Sequence, residues 1–164
     1  TDTDEDRWRR GVYVFWRRST PYPSMTVFDA PSREICTIRR IRTNTPLQAF
    51  VTLNDPVYVE AAQALARKLL KQRFQSIAGG EDRGRLRMGL EWTLKRPADP
   101  RAVAVLEQLL NEQREALADD IEAARALASE PLGMLPEGAD PVEYAAWTVV
   151  ANVLLNQDSF LTRD

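Results

Sequence analysis

Apolar residues recur three or four positions apart along most of this 164-residue chain. That spacing places them on one face of an α-helix, so each such stretch predicts an amphipathic helix. The stretches lie at residues 44–54, 57–74, 86–94, 103–117 and 146–154, and one at 121–128 continues the fourth or forms its own helix. We therefore predict an all-α fold, a compact bundle of about five to seven helices, with an irregular N-terminal third rich in Arg and Pro.

The pair Asp-Pro precedes three of these stretches, at residues 55–56, 99–100 and 140–141. Aspartate is a preferred helix N-cap and proline suits the first helical position, so each pair predicts a helix start. After the third pair, Glu143 stands at the N3 position. This layout matches a capping box with Asp140 as the cap, in which the N3 carboxylate reaches back to the cap residue.

A short helix is predicted just before the first Asp-Pro pair. Thr45 or Asn44 can N-cap it, and Pro46 fits its first position. We expect its buried face to be formed by Leu47, Phe50 and Val51. The segment Asn54-Asp55-Pro56 is expected to join this helix to the next.

The N-terminal third divides into parts with different patterns. Residues 1–6 carry four acidic side chains and are predicted to be a disordered lead. Residues 7–18 place four apolar side chains on one helical face, although the composition of residues 12–16 leaves a short strand open. Residues 19–43 hold three prolines and several apolar anchors, which predicts an ordered but irregular connection. We expect this segment and the helical body, residues 44–164, to form a single domain over 1–164.

Charge is distributed unevenly, although the formal net charge is only −2. Residues 1–6 carry a net charge of −4. Residues 7–54 carry +7, because nine arginines stand against Asp29 and Glu34. Residues 55–164 carry −5. The small net charge gives no reason to expect a nucleic-acid partner. The split between a basic N-terminal third and an acidic remainder indicates either a site for an anionic partner or ion pairs within the chain.

Histidine is absent from the sequence, and cysteine occurs once. The lack of histidine excludes a His-based triad, His metal ligation and a CxxCH haem attachment in this chain. Cys36 cannot form an internal disulfide, and the isoleucines around it predict a buried structural thiol. No stretch approaches about 18 consecutive apolar residues, the length of a transmembrane helix. We therefore predict no catalytic constellation, no metal site, no cofactor in this chain and no membrane span.

The candidate binding residues are Arg39, Arg40, Arg42 and Gln48. Guanidinium groups bind phosphate, sulfate and carboxylate in a bidentate way, so three neighbouring arginines suit an anionic ligand or partner. The alternative is structural pairing with the acidic helices that follow. Carboxylates of the same region show no spacing that pairs them for acid–base catalysis: Asp29, Glu34 and Asp55. Helical spacing favours core packing over sugar stacking for the tryptophans: Trp8, Trp16, Trp92 and Trp147.

Several blocks of the sequence resemble one family. The most specific is Arg39 to Pro56, which is similar to the family pattern RRxRTNTPLQALxLLNDP. Less specific blocks lie at residues 9–18, 28–31, 145–156 and 160–163. Together they resemble the C-terminal part of the planctomycete-type PSD domain of unknown function, over roughly residues 7–164.

The resemblance implies a C-terminal fragment of a large exported bacterial protein, in a periplasmic or otherwise extracytoplasmic location. It implies cytochrome-c-like domains upstream and transfers no catalytic residues. We therefore expect a non-catalytic interaction or scaffolding module that docks on other domains of the same polypeptide. The alternative is a glycan-linked domain that binds or degrades polysaccharide through an arginine-lined anion site. Apolar surface that packs on the rest of such a protein would be exposed here.

Overall fold

The computed structural model describes residues 13, 15, 17, 20–21, 23–32, 34–39, 43–74 and 80–161. Within them it contains eight helices and no strand: α1 (Pro23–Val27), α2 (Pro46–Asn54), α3 (Pro56–Leu70), α4 (Gly80–Leu94), α5 (Pro100–Ala118), α6 (Ile121–Ser129), α7 (Pro141–Leu155) and α8 (Asp158–Leu161). Six of them have nine residues or more, which confirms the predicted all-α fold. None of the described helices is long and apolar enough to cross a bilayer.

The chain divides into two compact units, residues 1–51 and 52–164. The first holds α1 and most of α2, and the second holds the end of α2 and the helices from α3 to α8. The predicted acidic lead at 1–6 and the predicted helix at 7–18 lie outside the described residues, apart from Tyr13, Phe15 and Arg17. The single domain over 1–164 stays a prediction.

Helix α7 is the centre of the second unit, where it packs against α3, α4, α5 and α6. Seven of its fifteen residues are buried, as expected of a helix that is apolar on most sides. Trp147 is fully buried, which is the core position predicted for it. The main core includes leucines from the surrounding helices: Leu69, Leu86, Leu90, Leu106 and Leu110. Helix α8 contacts α4 and α7.

The three Asp-Pro pairs begin helices, as predicted. The carboxylates of Asp55, Asp99 and Asp140 each accept a hydrogen bond from the backbone N–H two residues later, at 2.9, 2.9 and 3.0 Å. These bonds satisfy N–H groups that have no acceptor within the helix. A fourth aspartate, Asp120, caps α6 at 2.9 Å. The stretch at 121–128 is therefore a helix of its own.

The capping box predicted at the start of α7 is only half formed. Asp140 caps the helix, but the Glu143 carboxylate accepts hydrogen bonds from Arg114 and from the Trp147 indole. The expectation for Glu143 was wrong because a bidentate guanidinium pair is stronger than a bond to a neutral backbone N–H.

Gly89 on α4 lies close to side chains of α7 and α3. A Cβ atom there would lie 2.8 Å from Leu154 Cδ1 on α7 and 3.3 Å from Leu69 Cδ1 on α3. Both leucines are fully buried and have little room to move. The missing side chain therefore permits the close packing of α4 on these two helices.

Candidate functional site

A reciprocal capping box starts helix α2. The Thr45 backbone N–H donates to Gln48 Oε1 at 3.1 Å, and the Gln48 backbone N–H donates to Thr45 Oγ1 at 3.3 Å. Thr45 is therefore the N-cap, Pro46 occupies the first helical position and Gln48 stands at N3. The Thr-x-x-Gln spacing was present in the sequence and could have predicted this box.

The Gln48 side chain also joins α2 to the segment that follows α1. Its amide nitrogen donates to the carbonyl of Val27 at 2.8 Å and lies 3.2 Å from Thr43 Oγ1 and 3.3 Å from Asp29 Oδ2. Gln48 is only 4% exposed. Both ends of the buried amide therefore take part in hydrogen bonds, as buried polar groups require.

A second set of bonds links Asp29 to Thr43. Asp29 Oδ2 accepts from the Thr43 backbone N–H at 2.8 Å and from the Thr43 hydroxyl at 2.7 Å. Asp29 has a φ of 54°, in the left-handed region that aspartate tolerates better than most residues. We call this pair the Asp29–Thr43 latch, and it closes the chain between the two residues into a loop.

The loop exposes Cys36, whose thiol was predicted to be buried, together with neighbouring isoleucines. Ile35 is 76% exposed, Ile38 is fully exposed, and Cys36 is also exposed. The prediction of a buried structural thiol at Cys36 was wrong. Ile35 and Ile38, on either side of Cys36, suggested a core segment, but the latch at the base of the loop leaves them on its surface.

Helix α2 buries a different face from the one predicted. Leu47 and Phe50, expected in the core, are 57% and 64% exposed, and Val51 is half-buried. The buried positions are instead polar, namely Gln48 and Thr52. The expectation was wrong because hydrogen bonds hold the polar side of the helix inward, whereas the prediction assumed that apolar residues decide the buried face.

The four residues predicted as a binding site have different surroundings. Arg39 is exposed on the loop closed by the latch, and Gln48 is buried in the bonds described above. Arg40 and Arg42 lie outside the described residues. Asp29 and Thr43, which the structure brings to Gln48, were not predicted as its partners because 19 and five positions separate them from it in sequence.

A separate polar cluster joins three helices of the second unit. Arg114 on α5 donates through Nε and Nη2 to Glu143 on α7, at 2.7 and 2.6 Å, and through Nη2 to Asp82 on α4 at 2.8 Å. Trp147 Nε1 donates to Glu143 Oε1 at 2.9 Å. The hydrogen bond to Glu143, with a further contribution from Asp82, raises the pKa of Arg114 above its usual value although partial burial opposes this. The guanidinium, which is always protonated in proteins, links the three helices through these bonds.

Gln63 on α3 has a similar structural role. Its side chain is fully buried, donates to the carbonyls of Leu127 and Glu130 at 2.6 Å each, and accepts from the backbone N–H of Leu132 at 3.1 Å. These bonds fix the turn after α6. Arg67, one helical turn further along α3, donates to the carbonyls of the same segment.

Two tryptophans of the second unit are already in contact with other parts of the protein. Trp147 has no exposed surface for a sugar ring. Lys68 Nζ lies 4.9 Å from the centre of the Trp92 ring, so a cation already covers that face. No group of three or more Cys, Asp and Glu side chains suited to a metal ion occurs among the described residues.

Comparison with protein families matched about two thirds of the chain. The model of PSD1, described as a protein of unknown function (DUF1553), matches residues 1–110. The match includes the block from Arg39 to Pro56 and ends within α5. Comparison with curated proteins and with solved structures gave no match.

Proposed function

We propose that this chain, which belongs to the PSD1 family of proteins of unknown function (DUF1553), is a non-catalytic interaction domain. Its partner is another domain of the same polypeptide, and helix α2 provides the docking surface. The supporting observation is the orientation of α2, which exposes Leu47 and Phe50 while burying Gln48. Folding alone favours buried apolar side chains and exposed polar ones. The opposite arrangement in α2 therefore supports a role for its exposed face in binding a partner.

The energetics favour a partner over solvent at this helix face. Burying a Leu or Phe side chain completely stabilises a protein by about 1.5–3 kcal/mol relative to leaving it exposed. Most of this stabilisation is absent for Leu47 and Phe50, because both side chains are exposed. The capping box and the hydrogen bonds of Gln48 hold α2 in that orientation. A partner that covers the two side chains gains their burial without reorganising the helix, because the face is already formed.

The charge of the N-terminal sequence favours an acidic partner. Residues 7–54 carry a net charge of +7, and Arg39 is exposed among them. Complementary charge steers encounter and orients docking, and its effect falls as salt is added. The resemblance to domains that follow cytochrome-c-like domains makes such a domain of the same polypeptide the proposed partner, in an exported protein.

Binding between separately produced domains tests this function. A haem-loaded cytochrome-c-like domain from the same polypeptide is titrated into this chain by calorimetry, at low and at raised salt. We expect saturable binding that weakens with salt. The double variant Leu47→Ser/Phe50→Ser should bind at least about tenfold more weakly, because much of the apolar burial of both side chains is lost.

Val105→Ser is the matched control for this experiment. Val105 is 67% exposed on α5, so the substitution also removes an exposed apolar side chain but lies outside α2. We expect binding by this variant to equal that of the natural chain. Equal affinity of the double variant and the control, or no binding at any salt concentration, would refute docking through α2.

The glycan-linked role remains a second candidate, supported by the exposure of Arg39 within the basic segment. A guanidinium at the surface can bind a sulfate ester in a bidentate way. This candidate predicts binding to sulfated polysaccharides that Arg39→Gln weakens. A glycan array with sulfated and neutral polymers separates it from domain docking, since a blank array would eliminate it and leave the calorimetric result unaffected.

A further inference from the structure

Helix α5 carries its charges in the reverse of the order that stabilises a helix. After its N-cap, Asp99, the first turn contains Arg101 and no acidic residue. The last turn contains Glu115 and no basic residue, and the C-cap is Asp119. Because carboxylates stabilise the start of a helix and cations its end, the helix dipole disfavours Arg101, Glu115 and Asp119 where they lie. The folding of α5 therefore does not account for these three charges.

The same charges belong to one exposed face of α5, which we call the α5 stripe. Positions that alternate by four and three residues share a helix face, and every member of this set is exposed: Arg101, Val105, Gln108, Glu112, Glu115 and Asp119. None of the three charges named above forms an ion pair with another described residue. At about 1.5 Å per residue, about 27 Å separates Arg101 from Asp119, so the two ends of the stripe cannot pair within one chain.

The spacing of the stripe is symmetric about residue 110. Arg101 and Asp119 lie nine positions from it, Gln108 and Glu112 lie two positions from it, and the remaining two members lie five. A second copy of α5 that runs alongside in the opposite direction therefore meets the stripe in register. Arg101 then faces Asp119 of the other copy at both ends of the pair, and Gln108 faces Glu112.

We propose that two copies of this chain associate through antiparallel pairing of their α5 stripes, about a two-fold axis near residue 110. Charge complementarity selects a second copy as the partner, because each chain supplies both of the charges that the other needs. Residues 95–101 carry a net charge of +2, and residues 115–122 carry a net charge of −4. A parallel pair would place like charges together, so the charges also fix the direction of the partner helix.

The contact is small and largely polar, which predicts weak association that salt weakens further. Val105, which is 67% exposed, and the exposed alanines Ala104 and Ala116 add some apolar burial between the charged ends. A two-fold interface uses the same surface of both copies, so association stops at the dimer. This proposal does not depend on docking through α2, which involves different residues and which Val105→Ser leaves intact.

Sedimentation velocity of the full chain over a range of concentrations, at low and at raised salt, tests the pairing. We expect a monomer–dimer equilibrium that salt shifts toward the monomer. Arg101→Glu and Asp119→Arg should each weaken dimerisation by at least about tenfold, because each reversal turns two attractive pairs into repulsive ones. The double variant Arg101→Glu/Asp119→Arg should dimerise again, and so should an equimolar mixture of the two single variants, since opposite charges then face each other.

Arg73→Glu is the matched control, because Arg73 is also exposed and forms no ion pair with another described residue, but it follows α3 and lies outside α5. It should dimerise as the natural chain does. A chain that stays monomeric at the highest soluble concentration would overturn the proposal, as would equal dimerisation by Arg101→Glu and the control. Failure of the double variant to dimerise would refute the antiparallel direction. A mass that grows beyond the dimer would refute it as well, because it would indicate head-to-tail contact.

Discussion

The substitution Glu143→Gln tests how the second unit is held together. Glu143 Oε1 accepts from Arg114 Nη2 and Trp147 Nε1, and Oε2 accepts from Arg114 Nε. Glutamine retains one acceptor oxygen for the first two donors. It replaces the other oxygen with an amide nitrogen, a donor that faces the guanidinium donor of Arg114, and it removes the negative charge.

The magnitude follows from these contacts. A hydrogen bond to a charged group contributes about 1.5–3 kcal/mol, and the side chains of Arg114 and Glu143 are 28% and 26% exposed, so water weakens the pair only in part. Asp82 still neutralises Arg114 on one side at 2.8 Å. We therefore expect Glu143→Gln to lower the free energy of unfolding by about 2 kcal/mol, since one charge-assisted bond is lost and a second is weakened.

Urea unfolding followed by far-UV circular dichroism measures this change, and tryptophan fluorescence shows whether Trp147 stays buried. Glu107→Gln is the matched control, because Glu107 Oε2 lies 3.9 Å from Arg83 Nε and both side chains are more exposed. That surface pair should contribute less than about 1 kcal/mol. The reasoning fails if the two substitutions destabilise the protein equally, because the arrangement around Arg114 would then contribute no more than an ordinary surface pair.

Three further predictions concern single positions. Gln48→Leu keeps the size of the side chain but removes the oxygen that accepts from the Thr45 backbone N–H, so amide hydrogen exchange at Thr45 should speed up and stability fall by about 1–3 kcal/mol; unchanged exchange would contradict this half of the capping box. Gly89→Val should lower the stability by about 2 kcal/mol through overpacking, measured by thermal unfolding, and an unchanged melting temperature would mean that α4 can move away. Asp99→Ala should cost about 1 kcal/mol as a lost N-cap, whereas Asp119→Ala, at an exposed position after α5, should stay within about 0.5 kcal/mol. Equal effects of the two aspartate substitutions would argue against a special role for the cap.

Predictions from the sequence succeeded where the cause is local. Each Asp-Pro pair places a carboxylate acceptor next to a residue that already has a helical φ, so the start of the helix depends on neighbouring residues only. Asp55, Asp99 and Asp140 therefore begin helices as expected. Trp147 and the leucines around it lie in the core because apolar periodicity reports burial reliably for long helices.

Predictions failed where residues distant in sequence determine the surroundings of a side chain. Glu143 had the spacing of a capping box, but Arg114, 29 positions away, provides a stronger partner. Cys36 stands among isoleucines, yet a latch formed by Asp29 and Thr43 leaves it exposed. Neither Arg114 nor the latch could be deduced from the residues next to the positions that they affect.

Helix α2 shows the division between sequence and tertiary structure in one element. The sequence by itself determined the length of the helix, its proline at the first position and the capping box of Thr45 and Gln48, because these depend on residues three or four apart. Only the tertiary structure decided which side of the helix is buried. Val27, Thr43 and Asp29 are separated from Gln48 along the chain, and their bonds keep its polar side inward and leave Leu47 and Phe50 exposed.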